Sequence, residues 1–112
     1  MAEISNRAWS SISESDYEDA VDFCEASLIN LNQGPRREWT KANCKLPVYE
    51  PRSMGRRLNR NAVHAAAAVL AGARGGVDAP PDAKRQAARK LIRLYRELDE
   101  EPPESLKRLA GV

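Results

Sequence analysis

The chain has 112 residues, 42% of them apolar and 5% aromatic, enough for one domain with a modest, aliphatic core. No apolar run approaches the ~18 residues that a membrane span needs. No basic start leads into a hydrophobic stretch, so no secretory leader is expected and the location expected is intracellular or inside a particle. The net charge of +2 hides an uneven layout: residues 1–33 hold one base and seven acids, residues 34–77 nine bases and two acids. Such a layout is compensated inside the fold, or it holds oppositely charged partners or further copies of the same chain.

Residues 1–14 show no sustained period and read as an N-terminal arm, with Trp9 as its anchor and Ile12 three residues on. Residues 15–112 read as a single helical domain. Ser15, Asp16, Tyr17 and Glu18 have the spacing of a capping box, predicting a first helix that fades near Asn30. Tyr17, Ala20, Val21, Cys24 and Leu28 form its apolar stripe, and Asp19, Asp22 and Glu25 face outward. Asn32, Gln33, Gly34 and Pro35 break it.

Residues 34–58 are the least regular stretch, with prolines at Pro35, Pro47 and Pro51 whose preceding residues are pushed toward extended geometry. A helical turn near residues 39–44 and an extended run over residues 45–50, with Leu46 and Val48 inward, are expected. Long connections of this kind are often functional. The central helix follows over residues 59–76. Asn59 or Asn61 caps it, Val63, Ala66, Ala67 and Leu70 fall on one face, and Gly75 and Gly76 stop it. Its run of alanines predicts close approach by the other helices, packed around it.

Pro80 and Pro81 suit a helix start and open a third helix that ends by Glu100. Ala87 or Ala88, Leu91, Leu94, Tyr95 and Leu98 make its stripe, and Lys84, Arg85, Arg89, Lys90, Arg93 and Arg96 cover the rest. A last short turn over residues 103–109 tucks in Leu106 and Leu109. The fold expected is therefore all-α: a small three-helix unit with a long irregular proline-containing loop between helices 1 and 2 and a short C-terminal helical turn.

Cys24, Cys44 and His64 are weak metal candidates, because zinc sites favour tight CxxC or HxxxH spacing. Two buried free thiols are expected of the cysteines, with a disulfide as the alternative in an oxidising setting. His64 has the chemistry of a general base, but no nucleophile or phosphate-cradling motif accompanies it, so neither an enzyme nor a cofactor is expected. The arginines of the irregular segment and of the third helix suit a phosphate backbone or acidic protein partners. No aromatic platform for bases accompanies them.

Several stretches together carry a resemblance: FCEASLIN at residues 23–30, NCKLPVYEP at 43–51, LNRNAVHAAAAVLAGARGG at 58–76, AARKLIRLYRE at 87–97 and EPPESL at 101–106. The chain resembles a small helical domain of head proteins of tailed bacteriophages and prophages, found alone or attached to prohead-protease and other head-morphogenesis polypeptides. The protease active site belongs to a different domain that nothing here matches. The resemblance implies a non-enzymatic minor capsid or decoration protein, partnered by the major capsid protein, other head proteins or itself. It would be made in the host cytoplasm and carried in the virion. A DNA-binding role, or one as scaffold or protease accessory, is the alternative. Trp39, Arg52, Met54, Arg56 and Arg57 are the expected capsid contacts.

Overall fold

Asn59 is where an extended chain turns into a helix. In the computed structural model, which describes residues 3–72 and 76–111, its Oδ1 accepts the Ala62 N–H at 2.8 Å. This satisfies one of the free donors of the first turn, and the helix runs over Arg60–Leu70. Val63, Ala66, Ala67 and Leu70 are buried, as their spacing predicts. His64 and Ala68 are exposed, so the alanine helix is covered on one side rather than surrounded. It stops before the expected glycines. Gly72 takes a left-handed φ of +109°, and its N–H donates to the Val69 carbonyl. Gly75 lies outside the described residues.

The chain divides into two compact units, Met1–Ala62 and Val63–Val112. In the first, β1 (Ile4–Ser5) is followed by short 3-10 turns, α1 (Ala20–Glu25), β2 (Ser27–Asn30), β3 (Cys44–Pro47) and β4 (Leu58–Asn59). β1 pairs in parallel with β4, placing Ile4 opposite Leu58. β2 pairs antiparallel with β3, placing Ile29 opposite Lys45. Ile12, Tyr17, Phe23, Cys24, Ala26 and Cys44 form one buried cluster, with Trp9, Trp39, Tyr49 and Met54 packed against it. The segment read as an arm thus supplies a strand and two side chains to this unit.

The expected all-α fold is incorrect: among the described residues two small sheets accompany the helices. The first helix is six residues long and gives way to a strand. Its start is also shifted, because Asp19 caps α1 by accepting the Asp22 N–H at 2.8 Å. The capping box belongs instead to Ser13 and Asp16. At its end the Ser27 hydroxyl donates to the Phe23 carbonyl at 2.8 Å, which weakens a further helical turn, and the Ala26 carbonyl accepts the Val48 N–H at 2.9 Å instead. Leu28 and Ile29 are then both buried. A strand covered on both sides lacks the alternation that separates it from a helix in sequence.

A disulfide joins Cys24 of α1 to Cys44 of β3, correcting the expectation of free thiols. With a separation of 20 residues, closing that loop in the unfolded chain stabilises the fold by about 3 kcal/mol on chain-entropy grounds. The Asn32 amide nitrogen lies 3.5 and 3.2 Å from the two sulfurs, and its Oδ1 accepts the Thr40 N–H at 2.9 Å. Asn32 therefore ties the irregular loop to the bridge.

The second unit matches its expected pattern more closely. The helix over Arg60–Leu70 is α2, and α3 (Pro81–Glu97) and α4 (Glu104–Ala110) follow. α3 buries Ala87, Ala88, Leu91, Ile92, Leu94 and Tyr95 and packs against α4. It ends in a Schellman turn: the Glu100 N–H reaches the Tyr95 carbonyl and the Asp99 N–H the Arg96 carbonyl. Asp99 takes the left-handed φ of 60° that this motif requires.

Asn59 also donates through Nδ2 to the buried Glu50 carboxylate at 2.9 Å and to the Arg7 carbonyl at 3.0 Å. Asn59→Ala removes the cap and leaves Glu50 without that donor, so urea denaturation should show a loss of about 2 kcal/mol. The exposed neighbour Asn61, whose amide also donates to the Arg7 carbonyl at 3.0 Å, should lose less on change to alanine, about 1 kcal/mol or under.

Candidate interaction surfaces

Asp22 occupies the first turn of α1, where the sequence pattern points it outward, yet it is fully buried. A carboxylate out of water needs donors on all sides. The backbone N–H groups of Glu18 and Arg52 reach it at 2.9 and 3.1 Å. The Arg56 guanidinium bonds the same carboxylate closely and also donates to the Asp22 backbone carbonyl at 2.9 Å. Arg52 Nε adds a longer pairing at 3.7 Å. Burial opposes ionisation of Asp22, but the two N–H donors and the two guanidinium groups outweigh it and hold its carboxyl below the usual value.

The neighbouring groups follow from that anchor. Glu25, on the rim, pairs with Arg36 at 2.9 Å and with Arg52 at 3.2 Å. Arg56 sits at a positive φ of 51° directly after Gly55 at 95°, a backbone cost of about 1 kcal/mol or more for a non-glycine residue that its bonds to Asp22 sustain. Tyr17 donates to the Tyr49 carbonyl at 2.6 Å. Burial pushes its hydroxyl well above the ordinary tyrosine value, with the Asp22 and Glu50 carboxylates adding to the rise and Arg56 opposing it. Glu50 is fully buried. Its Oε2 takes the Asn59 amide and lies 3.9 Å from Arg7 Nε, while its Oε1 has no hydrogen-bond partner among the described residues.

All five expected contact residues have intramolecular partners within the first unit. Arg52 and Arg56 converge on Asp22. Met54 and Trp39 pack, partly buried, on the core of the first unit. The Trp39 indole N–H donates to the Gly34 carbonyl at 3.3 Å, and Arg36 lies over its ring. Arg57 pairs with the exposed Glu3 at 3.2 Å. Trp9, the expected arm anchor, also packs on that core.

The metal candidates are not gathered into one site. In the disulfide neither Cys24 nor Cys44 is a thiolate. His64 stacks on Tyr95, and its Nε2 lies 2.7 Å from Glu100 Oε1. Among the described residues no group of three or more His, Cys, Asp or Glu side chains is placed to hold a metal ion.

A different surface stands out on α3. Residues 83–96 carry six bases and no acid. Arg85, Arg89, Arg93 and Arg96 follow i, i+4, i+8, i+11 spacing, within about 80° of arc on the helix, and all four are exposed. Arg89 is steadied by its Nε bond to the Ala110 carbonyl at 3.0 Å, at the negative end of α4. Arg85, Arg93 and Arg96 have no ion pair within 4.0 Å among the described residues. The sequence signal for this stripe was present as the polar side of the third helix. Asp22 gave no comparable signal, since its burial depends on Arg52 and Arg56 arriving from far along the chain.

No protein-family model, curated protein or solved structure matches the chain.

The anchor has a pH signature. A carboxyl held below its ordinary value of 3.8 contributes stability that is complete above that value and is lost as pH falls through the lowered one. Asp22→Asn should cost about 3 kcal/mol at pH 7, where it leaves the paired arginines without their charge partner. The gap between variant and parent, followed by urea denaturation, should narrow as pH falls below about 4.

Proposed function

We propose that the chain is a non-enzymatic structural component of a tailed-phage head, a minor capsid or decoration protein that binds the shell. The reading rests on the motif resemblance, whose most specific pieces are Lys45-Leu46-Pro47-Val48 and Asn59-Arg60-Asn61-Ala62-Val63. The observation that carries a binding role over a catalytic one is where the reactive groups go. Asp22 is held by four donor groups, Glu50 by Asn59, and the two cysteines by each other. These groups are committed to holding the first unit together, while the cationic face of α3 is turned to solvent.

The disulfide fits the same reading. Such bonds persist in oxidising surroundings and are rare in a reducing cytosol, and a particle released from its host is in the former. Assembly would precede oxidation, and the bond would harden the protein after release. Many weakly bound copies on a symmetric shell gain by avidity, so a small domain with a modest contact area is sufficient. Partners are the major capsid protein, other head proteins or neighbouring copies.

Sedimentation tests this directly. The purified chain is mixed with DNA-free heads of the phage or prophage that encodes it. Saturable co-sedimentation at a fixed ratio to the major capsid protein is expected. A chain that stays in the supernatant, and is missing from proheads and finished particles by mass spectrometry, contradicts the proposal.

A further inference from the structure

We infer that α3 is a sequence-independent contact for the phosphate backbone of nucleic acid, made by Arg85, Arg89, Arg93 and Arg96. The inference stands on α3 itself and does not require the head reading. Its first ground is a contrast in how the chain treats its cations. In Met1–Ala62, Arg36, Arg52, Arg56 and Arg57 each reach a carboxylate. On α3 the six bases of residues 83–96 have no acid among them. The acids that bracket the run, Asp82 before it and Glu97, Asp99 and Glu101 after it, form no ion pair within 4.0 Å with Arg85, Arg93 or Arg96 among the described residues, although Arg96 and Glu101 interact electrostatically. Glu97 lies C-terminal to Arg93 at i+4, the less favourable order for such a pair.

The second ground is geometry. From Arg85 to Arg96 the helix rises about 16 Å. A duplex presents one phosphate charge per ~1.7 Å of axis counted over both strands, about ten over that length, of which a helix on one side faces only a part. Four cations in a row find phosphates on that dense, repeating array in many registers, whereas an acidic protein would need carboxylates spaced to match. All four are arginine, whose planar fork binds phosphate through paired N–H groups. Lys84 flanks the row and widens the field. The row offers no aromatic ring for base stacking, so contact is with the backbone and carries no sequence preference.

The test uses the full oxidised chain and a fluorescently labelled 20-base-pair duplex, read by anisotropy. Saturable binding at 50 mM NaCl is expected, with log K falling against log salt at a slope of about −3, or roughly 60-fold weakening by 200 mM. R85Q/R93Q/R96Q should lose at least about tenfold in affinity, R85K/R93K/R96K should keep most of it, and R36Q/R37Q should bind as the parent does. Circular dichroism establishes that the variants fold. Should the glutamine variant fail to fold, the parent's salt slope and competition by poly-glutamate of equal charge decide the question. No binding, a slope near zero, triple-variant binding equal to the parent's, or tighter binding to poly-glutamate than to the duplex would each overturn the inference.

Discussion

The pairing of Asp22 with Arg56 fixes much of the first unit. A buried carboxylate is tolerated only when its donors are in place, and three of its four donor groups come from residues 52 and 56. Forming that arrangement brings the end of the irregular segment onto α1. It holds Arg56 at a backbone angle it would otherwise avoid and sets the chain on course for β4 and the Asn59 cap. Nearby, the Tyr17 hydroxyl donates to the Tyr49 carbonyl and Glu50 is enclosed beside Asn59. The Cys24–Cys44 bridge works in parallel by shortening the unfolded chain's freedom across the same segment. One constraint acts through electrostatics in the folded state, the other through entropy in the unfolded one.

This arrangement separates two uses of arginine within one small protein. Arg52 and Arg56 satisfy internal carboxylates, so their charge is already compensated where a partner would meet it. Arg85, Arg93 and Arg96 extend from a helix whose opposite face is fully committed to packing. The first group contributes to stability and the second is available for recognition. Arg89 lies between the two, steadied by α4 yet aligned with the recognition row.

The helices of the second unit were legible because their signals are local. Prolines mark the start of α3, its apolar residues recur with the helical period, and Pro102 and Pro103 separate it from α4. Asn59 was legible for the same reason, since a cap acts within three residues. The sheets were not. β1 and β4 are two residues each and pair across most of the first unit, and β2 is buried on both faces. Asp22 misled because the helical wheel assigns an acid to solvent, while its partners lie some thirty residues away. Cys24 and Cys44 were visible as a pair, but spacing alone does not distinguish a bridge from two thiols. The density of proline and glycine in residues 34–58 suggested a free loop. Asn32, Trp39 and Arg56 instead tie it down through bonds that sequence periodicity does not register.

A double-mutant cycle on Asp22 and Arg56 tests the central pairing most directly. Asp22→Asn, Arg56→Gln and the double variant are compared by urea denaturation at pH 7 with the disulfide intact. If this pair organises the unit, the two changes are strongly non-additive, with a coupling of about 2 kcal/mol or more, because either single change already breaks the pair. Additivity within about 0.5 kcal/mol would mean that the two residues stabilise the fold independently and would contradict the account.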